Sequence, residues 1–277
     1  MLEFVVVPLL LTFAAAIVCG IIGVLTVVRS NTYVVGAVSH TILAGLGFAQ
    51  FSNVTNFIPF YISPDAAALV TAVCVAIVIS ALQFNGRVKQ DSTLSAVWAV
   101  GMAIGLFFLT ITPGYQTDLM RYMFGSIATT TIDDFYFVLI LAIVILLSCC
   151  FFWRGILASC FNTNLLRLNG GKAFFFELLI SILSAVAIVA LVKAVGIVLV
   201  IALITLPSIA ALGLGLRLIP AMLVAGFFAF LSSVVGLFVS VYFDIEAAAP
   251  TVVVLAIIVG LSCLTRLLKK RFSSKIS

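Results

Sequence analysis

The chain has one histidine, and it stands in an apolar run: Gly36-Ala37-Val38-Ser39-His40-Thr41-Ile42-Leu43-Ala44-Gly45. An imidazole can hold a divalent ion through one ring nitrogen. Ionisable groups in the middle of such a run usually face a bundle interior or a water-filled path. On a helix, Gly36, His40, Ala44 and Gly47 recur at i, i+4, i+8 and i+11 and share one stripe. Small residues on that stripe let another helix come close. His40 therefore faces protein or a pathway, not lipid. Two readings stay open here: a ligand lining a path, and a structural histidine bonded to a neighbouring helix.

The rest of the chain is poor in catalytic groups. Its carboxylates lie mainly where apolar runs end. Asn169-Gly170-Gly171-Lys172-Ala173 lacks the first glycine and the Ser/Thr of a phosphate-binding P-loop. An ATP-driven process would need its ATPase on another chain. The six cysteines, Cys19, Cys74, Cys149, Cys150, Cys160 and Cys263, sit in or beside apolar runs with no C-x-x-C spacing. They read as small apolar residues rather than ligands or disulfide partners.

The elements that must position these residues are membrane helices. Of the 277 residues 65% are hydrophobic and 8% charged. A span needs roughly 20 apolar residues, and nine runs qualify, near 4–28, 33–51, 66–84, 93–112, 135–153, 175–192, 195–214, 220–242 and 249–265. The runs do not alternate, so a membrane β-barrel is excluded. The expected fold is an all-α integral membrane protein, a bundle of about nine transmembrane helices forming one domain over 1–277. Eight spans with the second one re-entrant is the alternative. The first run has no basic n-region and is too long for a signal peptide, so it reads as a retained span.

Charge sets the orientation. Arg29, Arg87, Lys89, Arg154, Arg167, Lys172, Arg217, Arg266, Lys269, Lys270, Arg271 and Lys275 can share one side, leaving only Arg121 and Lys193 on the other. Short basic loops stay in the cytoplasm, so the N-terminus is expected outside and the C-terminus inside. Glu3, Asp65, Asp118, Asp133, Asp134, Asp244 and Glu246 then form an outer acidic rim. That rim is either solvated loop ends or a weak funnel for cations or a basic partner. The net charge of +5 reflects the inner basic rim and gives no reason to invoke nucleic acid.

Two inner loops are candidates for contact with a partner. One is Gly86 to Ser92. The longer runs from Arg154 to Lys172, where Asn162 could cap a short helix and Gly170 could end it. Leu165, Leu166 and Leu168 would sit on its surface, to dock on a partner or to lie on lipid. Gly101 and Gly105 form a G-x-x-x-G pair that reads as helix packing. Pro207, deep in a late span, removes a backbone donor and is expected to kink its helix.

Taken together, the stretches Ser39-His40, Lys89 to Leu94, Asp118 to Ile127, Phe161 to Gly170, Lys193 to Pro207 and Phe243-Asp244-Ile245 resemble, in order and spacing, the membrane permeases of ABC importers for zinc, manganese or iron. The resemblance covers nearly the whole chain. It implies two permease copies or two related permeases, two cytoplasmic ATPases, and an extracytoplasmic metal-binding protein. The divalent ion is cargo, with no covalently bound cofactor, and this chain is not itself an enzyme. The loop with Phe161, Asn162, Leu165, Leu166, Arg167, Leu168 and Gly170 resembles the segment that couples to the ATPase. His40 falls where the family often has a metal-pathway histidine. The family commonly places an acidic residue four positions earlier, and this chain has Gly36 there. A second, non-identical permease could supply ligands, and Gly36→Asp is expected to tighten the site if both residues face one cavity. A secondary transporter would use mid-span carboxylates for coupling, and these are scarce. A non-transporting scaffold is the remaining alternative.

Overall fold

The structure, a computed structural model, describes residues 2–85, 90–113, 125, 130–161 and 172–273. Its described residues form nine helices: α1 (Leu2–Val28), α2 (Tyr33–Thr55), α3 (Pro64–Asn85), α4 (Gln90–Ile111), α5 (Ile132–Phe161), α6 (Ala173–Val195), α7 (Ile197–Gly213), α8 (Leu218–Phe243) and α9 (Ala248–Ser273). Without water in the bilayer core, each run must satisfy its own backbone, and a helix does so. Eight of the nine are long and apolar enough to cross a membrane. The protein is an all-α bundle, as its composition requires.

Three elements differ in detail from the expected spans. The seventh, α7, has 17 residues and spans about 26 Å. It is cut from α6 at Gly196, whose φ of 83° suits a residue without a Cβ. The fifth run continues as helix to Phe161 through non-helical backbone at Phe152 (φ −104°, ψ 16°). No proline stands between Phe152 and Phe161, so helix resumes beyond the kink although Gly155 lies within it. The second run is an unbroken helix of 23 residues, not a re-entrant segment.

The chain divides into two compact units. One holds α2, α3, α4, the second half of α5 and α6. Here α2 is central and packs against α3, α4 and α6. Contacts between α2 and α4 rise together in number, from Gly36 on Trp98 to Gly47 on Phe108, so these helices run parallel. The helix α3 runs antiparallel to both α2 and α6. Asn31 and Gln83 pair their amides at 3.3 and 3.4 Å. Asn53 bonds Ile62 through both its amide groups, and Lys193 meets Asp65 at 3.0 Å. Each of these contacts joins residues that the charge pattern assigns to one membrane side.

Glycine makes the central seams tight. A Cβ at Gly45 would lie 2.6 Å from the Ala67 carbonyl oxygen on α3. At Gly105 it would lie 2.7 Å from the Leu43 backbone. Lipid tails are as apolar as leucine, so close van der Waals packing rather than hydrophobic burial holds such helices together. The G-x-x-x-G pair of α4 thus packs on α2, with Gly101 against Thr41.

The other unit holds α1, the first half of α5, most of α7, and α8 and α9. Helices α1 and α8 are antiparallel: Gly20 faces Gly226, and Phe13 meets Phe230 edge-on at 5.8 Å. Val24, Ala211, Ala221 and Ala225 form a buried cluster. Helix α9 folds back on α8, with Gly236 against Thr251.

Candidate functional site

His40 lies seven residues into α2, about 10 Å along its axis from Tyr33. Its Nδ1 is 2.9 Å from the Gly36 carbonyl oxygen. A carbonyl only accepts, so in the neutral ring the hydrogen sits on Nδ1 and is donated to Gly36. That leaves Nε2 with a free lone pair, the form that binds a metal ion. Donation of the second ring N–H to a carbonyl is also the usual way a ligating histidine is oriented.

The ring rests on Trp98 of α4, with centroids 4.6 Å apart and planes tilted by 32°. Both side chains are half-buried, at the margin where α2 meets α4. The expected small-residue stripe divides in two. Gly36 and Gly47 are buried against α4, whereas His40 and Ala44 are half-exposed, with Phe48 and Phe51 continuing the open strip. Between Val34 and Ala49 the other residues of α2 are buried, so this strip is the accessible side of that part of the helix. Gly36 is not open space awaiting a ligand: a Cβ there would lie 3.1 Å from Cζ3 of the Trp98 ring. The indole would have to give by a few tenths of an ångström for a methyl at 36, and by more for a longer side chain.

Among the described residues, no three His, Cys, Asp or Glu side chains gather into a metal-binding group. A tightly held ion would need ligands beyond those residues. No disulfide links the six cysteines, and none of them joins the site.

Of the other expected site residues, Phe161 is the last residue of α5 and is exposed. Asn162, Leu165, Leu166, Arg167, Leu168 and Gly170 lie outside the described residues. Pro207 is buried in α7, and the helix is continuous through it. Two hydroxyls flank it on the helix's own carbonyls, Thr205 on Ile201 at 2.7 Å and Ser208 on Ile204 at 2.9 Å. The carbonyl that loses its helical donor to the proline is that of Leu203, and neither hydroxyl bonds it.

Trp98 was not singled out by sequence. The signal was there: it lies three residues before Gly101, hence on the face of α4 that carries the glycine pair.

Comparison with known proteins gives the same reading as the motifs. The family model described as the ABC 3 transport family matches residues 1–266. A probable metal transport system membrane protein of Chlamydia trachomatis is 30% identical over 263 residues, covering 95% of this chain and 88% of that one. The manganese transport system membrane protein MntC of Halalkalibacterium halodurans is 28% identical over 246 residues, covering 89% and 82%. The fold is that of a chain in the structure of PsaBC from Streptococcus pneumoniae in complex with Fab, with a TM-score of 0.79 at 23% identity over 94% of this chain and 90% of that one. With the match running through all nine helices, the chain belongs to the ABC 3 transport family and is a multi-pass protein of the bacterial cytoplasmic membrane.

Proposed function

We propose that this chain is the permease subunit of an ATP-driven importer of a divalent metal ion: zinc, manganese or iron. The observation that carries the reading is His40, the one histidine of the chain, half-exposed on the central helix with Nε2 free. The relatives' names support the cargo class, and manganese is the first ion to test because the Halalkalibacterium relative is named for it.

In this reading ATP is hydrolysed by separate cytoplasmic ATPase subunits. An extracytoplasmic metal-binding protein delivers the ion, and a second permease copy or a related permease completes the path. The N-terminus is outside and the C-terminus inside. The segment from Phe161 to Gly170 docks on the ATPase, its leucines giving an apolar anchor and Arg167 a polar edge. Phe161, exposed at the end of α5, supports this, because it leaves an aromatic side chain open at the start of that segment. His40 offers the passing ion one borderline ligand. A single imidazole binds weakly, which suits a conduit, since an ion held too tightly would not leave.

The test is uptake of radioactive manganese and zinc in cells, with membrane levels of each variant matched. His40→Ala lowers uptake with the protein still assembled. His40→Phe, which keeps a ring on Trp98 but has no ring nitrogen, lowers it equally. Wild-type uptake in both variants would make the histidine structural.

A further inference from the structure

We propose that Trp98 is a positioning residue for His40: its indole holds the imidazole so that Nδ1 stays on the Gly36 carbonyl and Nε2 stays presented to the ion. The inference rests on the reading of His40 as a ligand and goes beyond it.

Three observations converge. The ring centroids are 4.6 Å apart with planes tilted by 32°, within the separation at which aromatic pairs attract. The edge of the indole also lies over Gly36, with Cζ3, Cε3 and Cη2 at 3.1, 3.4 and 3.4 Å from where a Cβ would stand. One ring thus covers both the histidine and the residue that accepts its hydrogen bond. Finally, the backbone on either side is tied down. Thr41, next to His40, donates to Ala37 at 2.6 Å and reaches the carbonyl of Val97, next to Trp98, at 3.4 Å. Gly101, one turn beyond Trp98, packs on the same Thr41. A stack built on so close a seam has little freedom to slide. Without the indole, the imidazole could rotate about its side-chain bonds and lose the Gly36 bond. Either nitrogen could then carry the hydrogen, and the lone pair would no longer point one way.

The chain's single histidine makes this measurable without transport. Full-length protein is labelled with 15N-histidine, purified through a histidine-free tag, and placed in lipid bilayers at pH 8.5, above the ordinary imidazole range. Its nitrogen NMR spectrum then reports His40 alone. Wild type and Trp98→Phe give one neutral form with the hydrogen on Nδ1, and added zinc shifts Nε2. Trp98→Ala gives both tautomers, and its zinc titration moves to about tenfold higher concentration, the scale of losing an outer partner of a metal ligand. Should Trp98→Ala not assemble, Trp98→Leu, which fills most of the space without a π face, carries the same comparison. A single Nδ1–H form and an unshifted zinc titration in the Ala or Leu variant would overturn the proposal. The two readings fail separately. Normal uptake by His40→Phe removes the ligand role itself. Lost uptake by His40→Phe with an unchanged spectrum in Trp98→Ala removes only the positioning role.

Discussion

Gly36→Asp places a carboxylate four residues before His40, where the resemblance to metal-importer permeases implies one, yet the structure gives it a cost that can be worked out. A Cβ at residue 36 sits 3.1 Å from the Trp98 ring, against an ordinary carbon separation of about 3.5–4.0 Å. For Gly36→Ala the ring backs away by roughly half an ångström, and the helix gains about 1 kcal/mol from replacing glycine. The two effects nearly cancel, so Gly36→Ala should change stability by less than about 1 kcal/mol. Aspartate sends three more heavy atoms into the space of the indole. Overpacking of that kind costs about 1–3 kcal/mol, and a carboxylate buried there without a partner adds at least about 1–3 kcal/mol. The sum, roughly 2–6 kcal/mol, is a large share of the about 5–15 kcal/mol that holds a typical domain folded. Gly36→Asp alone therefore loses assembly rather than gaining a tighter metal site. Measured against Trp98→Ala alone, which loses the indole's own packing, Gly36→Asp costs about 1–3 kcal/mol less than it does in wild type. The assay is thermal unfolding of wild type, Gly36→Ala, both single variants and the double variant in detergent, followed by size-exclusion chromatography with fluorescence detection. A Gly36→Asp protein that melts with wild type, or an equal cost of Gly36→Asp with and without the indole, would refute the steric argument.

Other consequences are simpler. Gly105→Leu forces a side chain onto the Leu43 backbone, only 2.7 Å from the Cβ position, and should lower stability by at least about 1–3 kcal/mol in the same melt. Leu165→Asp should break the apolar anchor on the ATPase: uptake falls, ATP hydrolysis continues uncoupled, and the permease stays inserted, as measured by paired uptake and ATPase assays. A cysteine at Ser274 should resist impermeant thiol reagents in intact cells, because the basic run Arg266 to Lys275 keeps that end inside.

Much of the fold can be read from hydropathy, because lipid permits few alternatives: nine apolar runs become nine helices among the described residues. The ends are harder. Nothing in Val195-Gly196-Ile197 interrupts hydropathy, yet Gly196 breaks the helix by its backbone angle alone. Phe152 to Phe161 holds no proline, and helix resumes past the non-helical backbone at Phe152, so α5 outruns its expected span. Spacing shows which residues share a face, as with Gly101 and Gly105. It does not show which helix that face meets, since in a membrane every neighbour is apolar. That is why His40 was legible as a candidate while Trp98, its partner from 58 residues away, was not. It is also why Gly36 reads from sequence as a missing ligand and from structure as the space an indole needs.

The most direct test of the central claim is transport by purified parts. The permease is reconstituted into liposomes with its partner permease and ATPase, ATP inside, and the metal-binding protein with manganese, zinc or iron outside. The account predicts ATP-dependent accumulation of one of these ions, abolished by a hydrolysis-dead ATPase and strongly reduced by His40→Phe. It would be contradicted if ATP is hydrolysed with no ion accumulated, or if a proton or sodium gradient drives accumulation without the ATPase.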